Sequence, residues 1–245
     1  MGVTLVTLIG SVGAGKTTTA RTLTRLIQTK KGTTAYYINI TVFHGIAYII
    51  ISLLSYILQK IERYRFIGNN YLTLWFNNKN ILKKIYKLTL LLDILSLALV
   101  IIGKIYLRSS LCLVLKRECI ILIDEGPITA MAIHYYFSYH FKTTKIFNFY
   151  YRIAYAFFYM LTKRWKNILV IFRSPVKLSI EIWQKREKTK IVDVKMILTR
   201  YSFENILIRY SLNFPTVTIL NFNVTYTSTR SAMINILYKI LSVPP

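Results

Sequence analysis

Short apolar runs recur along the chain, and each is followed by a turn signal and then by a stretch with helical periodicity. The runs are rich in β-branched residues, which is typical of strands buried on both faces. Strands that alternate with helices predict a parallel sheet with helices on both sides, an α/β fold of three layers. The five predicted strands cover residues 3–9, 35–40, 120–123, 168–172 and 217–220.

Helical periodicity predicts a helix over residues 16–28 and five further helical segments, of which the second and third are long enough for two helices each. They cover residues 46–58, 81–102, 128–162, 176–187 and 229–241. No linker rich in Pro, Gly or Ser divides the chain. We therefore predict one domain over residues 1–245, in which residues 41–116 form an apolar and basic helical insertion between strands two and three.

Residues 42–58 and 88–102 are apolar enough to be tested as membrane spans. They number 17 and 15 residues, and the second includes Asp93, so both fall at or below the lower limit of about 17 to 25 residues for a spanning helix. A hairpin would also carry the seven cations of residues 59–87 across the membrane, against the positive-inside tendency. We favour helices buried in the fold and leave peripheral membrane contact open.

The composition is basic and apolar. Lys and Arg number 33 against 9 Asp and Glu, a net charge of +24, and 54% of the residues are hydrophobic. Such a chain is too apolar to be disordered, and its positive potential attracts phosphates, nucleic acid or an anionic membrane. Solvated cationic faces without a partner are the alternative interpretation.

Two features bear on the cellular compartment. Cys112 and Cys119 are too few for a disulfide framework and lack the spacing of a metal site. The N-terminus has no basic region followed by an apolar run and a cleavage site, so we expect a cytoplasmic protein, with peripheral membrane contact left open.

Residues 10–17 satisfy the phosphate-loop pattern G-x-x-x-x-G-K-[ST] between a predicted strand and a predicted helix. The glycines allow successive N–H groups to converge on a phosphate, and the helix adds its positive dipole end. Lys16 would bridge the β- and γ-phosphates of a nucleoside triphosphate, and Thr17 would ligate Mg²⁺. The predicted nucleotide-binding residues are Gly10, Ser11, Val12, Gly13, Ala14, Gly15, Lys16, Thr17 and Thr18.

Asp124 and Glu125 follow the third predicted strand directly. An acidic residue at the carboxyl end of a buried strand beside the phosphate loop is expected to hold Mg²⁺, and this role falls to Asp124. Glu125 could orient a nucleophile, either a substrate hydroxyl or water. An ordinary turn after an apolar run is the alternative.

Other polar positions are weaker candidates. Thr89, Asp93 and Ser96 recur at helical spacing and form a narrow polar stripe. The stripe could line a substrate pocket, and it could equally be hydrogen-bonded to neighbouring helices.

Cationic and aromatic residues near the ends of strands two and four are also candidates. Arg186, at the end of a basic helix after strand four, could close over phosphates as a lid residue, and Arg173 at the end of that strand is a second choice. The pair Tyr36 and Tyr37 and the nearby His44 could contact an acceptor, although packing in the core is the favoured role.

Four segments together resemble the thymidylate kinase-like branch of the P-loop nucleoside and nucleotide kinases. They are GSVGAGKTTTARTL, IILIDEGP, NILVIFRSPVKLSIEIWQKREK and TVTILNFNVTYTSTRSAMINILYKI. The resemblance implies a five-stranded parallel sheet of order 2-3-1-4-5 and transfer of the γ-phosphoryl group of ATP. It carries nucleotide and metal binding onto Gly10, Gly13, Gly15, Lys16, Thr17 and Asp124, and a lid role onto Arg186.

The chain departs from this family where the acceptor would bind. It has Asp124-Glu125 where the family commonly has Asp-Arg, Arg173 where the family commonly has Asp, and no Asp-Arg-Glu type of motif in the segment NITVFHG. The acceptor therefore stays open among a nucleoside, another monophosphate, a lipid-like alcohol and water.

Two other functions compete with a kinase. One is an ATPase that drives a membrane or nucleic-acid partner, with Glu125 polarising water. The other is a nucleotide-binding module without catalysis, which the absent acceptor motifs favour. Whether the chain forms a homodimer also stays open.

Overall fold

The computed structural model describes residues 2–10, 14–30, 32–40, 47, 49–50, 53, 79–187, 194–211 and 217–223. Within them, five strands form one parallel sheet of order β2-β3-β1-β4-β5. The predicted α/β fold and sheet order are therefore confirmed. The strands are β1 Val3–Gly10, β2 Thr33–Asn39, β3 Glu118–Asp124, β4 Lys166–Arg173 and β5 Val217–Asn223.

Described helices lie at the predicted segments 16–28, 81–102, 128–162 and 176–187, and one further helix was not predicted. The segment predicted at 128–162 forms two helices, and the one predicted at 81–102 continues through a π-helical segment, Ile101–Tyr106, into a further helix. The helices are α1 Lys16–Gln28, α2 Lys79–Val100, α3 Leu107–Val114, α4 Gly126–His140, α5 Thr144–Arg164, α6 Val176–Glu187 and α7 Val194–Ser211. Helix α7 was not predicted, and the helix predicted at 229–241 lies outside the described residues, as does most of 46–58.

Alternate residues of the strands supply two separate cores, one on each face of the sheet. On one face Val6 and Leu8 of β1 pack with Leu23 and Ile27 of α1. Leu5 of β1 points to the other face, into the larger cluster formed with helices α2 to α5 and α7. This packing leaves the carboxyl ends of β1 and β3 at one edge, next to the start of α1.

The long helical stretch from α2 to α3 is buried on one side only. Leu90, Leu97 and Ile101 are fully buried, whereas residues on the opposite side are roughly half exposed. Those exposed residues are Leu88, Leu91, Leu95, Leu99 and Ile102. By length and composition alone, Tyr86–Val114 could cross a membrane, a test that core helices of soluble proteins also pass. Residues 88–102, which we expected to form a buried helix, are thus buried on the side that faces the core and exposed on the other side.

Asp93, in the middle of the predicted polar stripe, lies in a buried network that joins three helices. Its Oδ2 is 2.9 Å from Nε2 of His134 in α4 and accepts a 3.4 Å hydrogen bond from the Tyr150 hydroxyl in α5. The Tyr86 hydroxyl donates to the carbonyl of His134 at 3.0 Å. Burial foremost, and then the charge of Asp93, raises the pKa of Tyr86 and of Tyr150. These contacts favour an interhelical role for the stripe over a substrate pocket.

Candidate functional site

Two glycines shape the turn that leads from β1 into α1. Gly10 has φ of 125°, and a Cβ there would lie 2.1 Å from the carbonyl oxygen of Phe172 in β4, so only glycine fits without moving the sheet. Gly15 has φ of 79° and directly precedes the first residue of α1. The predicted phosphate-binding residues Ser11, Val12 and Gly13 lie outside the described residues.

Lys16 folds back over this turn. Its side chain is only 6% exposed, and its Nζ donates a 3.0 Å hydrogen bond to the carbonyl of Gly10. The same Nζ lies 3.7 Å from Oε1 of Glu125. The ammonium group is thus held between the carbonyl that ends β1 and the carboxylate that follows β3. Ala14 is buried in the core, while Thr18 is exposed on the first turn of α1.

Thr17 and Asp124 join the segment from Gly10 to Thr17, which the sequence predicts to bind phosphate and which we call the phosphate turn, to the end of β3. The Thr17 hydroxyl donates a 2.5 Å hydrogen bond to Oδ2 of Asp124, and the hydroxyl of Tyr37 in β2 donates to the same oxygen at 3.1 Å. The parallel register sets Asp124 opposite Leu8 of β1, which brings it next to the turn. Two residues that are 107 positions apart in the chain therefore share one hydrogen bond.

The other carboxylate oxygen of Asp124 is poised for a cation. Asp124 is 1% exposed, and its buried Oδ1 accepts no hydrogen bond from the part of the chain that the structure describes. Burial is the largest effect on this group and raises the pKa of Asp124, while the Thr17 hydrogen bond opposes the rise. A cation at Oδ1 would compensate the buried negative charge.

Glu125 lies in a strained turn between β3 and α4. Its φ of 73° and ψ of −58° are those of a classic γ-turn, which is rare for a residue with a side chain. Its backbone N–H donates to the carbonyl of Leu8 at 2.9 Å. At the next residue, Gly126, a Cβ would approach a methyl group of Thr7 to 2.8 Å. The backbone strain, which costs on the order of 1–3 kcal/mol, accompanies a carboxylate placed beside the Lys16 ammonium.

The oxygen donors at this edge fit Mg²⁺. Across the described ranges, no three His, Cys, Asp or Glu side chains come together as an all-protein metal cluster. Mg²⁺ commonly takes one or two protein oxygens and completes its shell with waters and substrate phosphates. The Thr17 hydroxyl and the Asp124 carboxylate supply that kind of donor set beside the phosphate turn.

The remaining candidates are less connected. Arg173 ends β4 at the same edge of the sheet and is exposed. Arg186 lies on α6, but the structure does not describe its side chain, so its lid role stays a prediction; His44 lies outside the described residues. Tyr37, for which packing in the core was the favoured role, donates a hydroxyl hydrogen bond to Asp124. The signal that could have predicted this contact is the position of β2 next to β3 in the sheet.

Comparison with known proteins supports the fold. No protein-family model matches the chain, and no curated protein matches it in sequence. Among solved structures, the chain is similar to a deoxyadenosine kinase from M. mycoides with bound dCTP, with a TM-score of 0.58 and 14% sequence identity. The match covers 98% of this chain and 100% of that chain. At this identity the likeness concerns architecture alone, and the described residues share the α/β fold of that kinase.

Proposed function

We propose that this protein is a P-loop kinase that transfers the γ-phosphoryl group of Mg-ATP to a small acceptor of the nucleoside or nucleotide class. The proposal rests above all on the 2.5 Å hydrogen bond from Thr17 to Asp124, which joins the phosphate turn to the acidic end of β3. Ligands of open α/β sheets bind at the carboxyl ends of the strands, and this hydrogen bond lies there.

Each residue at this edge has a role in the proposed transfer. The ammonium of Lys16 would bridge the β- and γ-phosphates, while the loop amides and the start of α1 hold the phosphate oxygens. Mg²⁺ held by Thr17 and Asp124 would neutralise charge on the phosphate oxygens. Glu125 would accept the proton of the attacking acceptor hydroxyl, and Arg186 would close over the phosphates as a lid residue.

A nucleoside is our preferred acceptor. The structurally similar protein is named a deoxyadenosine kinase, and nucleoside and nucleotide kinases share the sheet order found here. Thymidylate is disfavoured, because Glu125 stands where the thymidylate kinase-like family commonly has Arg and Arg173 stands where that family commonly has Asp.

Measuring ADP release from Mg-ATP with and without a panel of nucleosides and nucleoside monophosphates tests the proposed function. We expect release that depends on one class of acceptor. ADP release that no acceptor changes, but that nucleic acid or liposomes stimulate, would instead identify an ATPase coupled to such a partner. Glu125 would then orient water. Nucleotide binding with no release under any condition would identify a module without catalysis.

Asp124→Asn is expected to remove most of the Mg²⁺ dependence of ATP binding, because an amide is a poorer ligand for a hard cation than a carboxylate. Burial raises the pKa of Asp124 in the folded protein, so its ionised form opposes folding at neutral pH and this penalty fades as pH falls through that pKa. Neutralising the side chain should therefore leave the melting temperature of the ligand-free protein unchanged or higher.

ATP titrations with Mg²⁺ and with a chelator, run beside thermal melts, measure both effects of Asp124→Asn. The matched control is Glu118→Gln, which neutralises an exposed acid at the other end of β3. An Asp124→Asn protein that retains the wild-type difference between the Mg²⁺ and chelator titrations would reject the metal role.

A further inference from the structure

The last turn of α3 and the residue after it expose a cluster of large aliphatic side chains, which we call the apolar tip. Leu111, Leu113, Val114 and Leu115 are 56%, 46%, 78% and 61% exposed. Cys112, within the same turn, is buried and attaches this turn to the core. Contiguous exposed aliphatic residues mark interaction surfaces more often than scattered ones do.

Exposed cations surround the apolar tip because of the topology of the sheet. The strands are parallel, so the segments that lead into them meet at one edge, the amino edge. The chain carries exposed Lys and Arg residues within the three positions before β2, β3 and β4. These residues, which we call the basic collar, are Lys30, Lys116, Arg117, Lys163 and Arg164.

The collar and the tip belong to one surface. Lys116 and Arg117 directly follow the tip and lead into β3. The guanidinium of Arg164 lies 5.3 Å from the ring centre of Tyr106, the residue before α3, which brings the end of α5 beside the start of the helix that carries the tip. Neighbouring strands are about 4.8 Å apart, so the collar from β2 to β4 spans roughly 15 Å of the edge.

This surface lies at the opposite end of the strands from the candidate active site. Lys116 and Arg117 precede the first residue of β3, whereas Asp124 is its last residue. Seven residues of strand separate the two ends by roughly 20 Å. A partner held at the amino edge would therefore leave the phosphate turn open to solvent.

We propose that the apolar tip and the basic collar together form a docking surface for an anionic lipid bilayer. Peripheral membrane binding combines insertion of apolar side chains with attraction of nearby cations to acidic headgroups, and this surface supplies both. A second copy of the chain would bring one cationic collar against another. Single-stranded nucleic acid is bound by cations and stacked aromatic rings, and aliphatic leucines have no role there.

Flotation with vesicles tests the proposal on the full-length protein. We expect the wild type to bind vesicles of one-third phosphatidylserine in phosphatidylcholine, and to bind pure phosphatidylcholine vesicles roughly tenfold less. High salt should release it, because screening weakens attraction between exposed charges. Absence of binding to the anionic vesicles, or equal binding to both compositions, would overturn the proposal.

Two variants separate the contributions of the surface. Val114→Gln with Leu115→Gln removes apolar area, and Lys116→Asn with Arg117→Gln removes charge; asparagine suits Lys116, whose φ is 52°. Each pair should lower binding to anionic vesicles about tenfold or more. The matched control, Leu95→Gln with Leu99→Gln, changes two leucines of α2 that are 52% and 59% exposed and lie away from the tip, and it should bind as the wild type does. Thermal melts verify that each variant is folded.

Three further results would overturn the proposal. The control pair could lose binding as the tip variants do, which would assign the contact to the side of α2. Neither variant could change vesicle binding, while the charge variant, but not the tip variant, binds a single-stranded oligonucleotide more weakly than the wild type. Finally, the tip variant could dissociate a dimer in sedimentation and leave vesicle binding intact.

Discussion

Replacing Lys16 by alanine is expected to weaken ATP binding roughly ten- to hundredfold. A charge-assisted hydrogen bond contributes about 1.5–3 kcal/mol, and the proposed site uses the Lys16 ammonium against two phosphates. The structure holds this ammonium at the turn, with its Nζ 3.0 Å from the carbonyl of Gly10 and its side chain nearly buried. Isothermal titration calorimetry with Mg-ATP measures the change.

Arg25→Ala is the matched control for Lys16→Ala. Arg25 lies on the same helix, is exposed, and is in its last turn, far from the phosphate turn. Its loss removes one positive charge from the chain without touching the proposed site. If both variants weaken ATP binding equally, then general attraction by the net charge of +24, and not the phosphate turn, holds the nucleotide.

Replacing Asp93 by leucine is expected to lower the free energy of unfolding by about 2–6 kcal/mol, because it leaves two buried polar groups without their hydrogen-bond acceptor at about 1–3 kcal/mol each. Asp93 and His134 are both fully buried, and their side chains are 2.9 Å apart. The substitution leaves His134 and the hydroxyl of Tyr150 without their acceptor inside the packed helices. Urea unfolding followed by circular dichroism measures the loss.

Asp93→Asn separates a structural role from a catalytic one. Asparagine keeps an acceptor oxygen in nearly the same volume, so the loss of unfolding free energy should be smaller than for leucine. Turnover per folded molecule should stay at the wild-type level. A protein that is as stable as the wild type but inactive toward its acceptor would show that Asp93 lines a substrate pocket.

The sheet and the phosphate turn are predictable from the sequence because their signals are local. Residues 3–9 are apolar on both faces of a strand and lead straight into Gly10. Asp124 ends a continuous apolar run, so the parallel topology alone brings it to the same edge as Lys16. These features need strand direction, which the alternation of strands and helices implies, and strand order, which the resemblance to the thymidylate kinase-like family implies.

Contacts between helices could not be predicted in the same way. Asp93 and His134 are 41 positions apart and meet only because α2 packs near α4. The exposure of Leu95 and Leu99 depends on which neighbours α2 has, and the sequence of α2, which is apolar on more than one side, does not specify them. Helix α7 follows a charged segment and has weak apolar periodicity, although Glu204 in it accepts a buried 3.1 Å hydrogen bond from Thr129.

The most direct test of whether the turn from Gly10 to Thr17 binds a triphosphate is calorimetry on the wild-type protein. The protein is titrated with Mg-ATP and, separately, with Mg²⁺ and AMP. Saturable binding of ATP at one site per chain, at least tenfold tighter than that of AMP, is the expected result, because the loop amides and Lys16 would contact the β- and γ-phosphates that AMP lacks. Equal affinity for the two nucleotides, or no saturable binding of either, would contradict a phosphate site at this edge of the sheet.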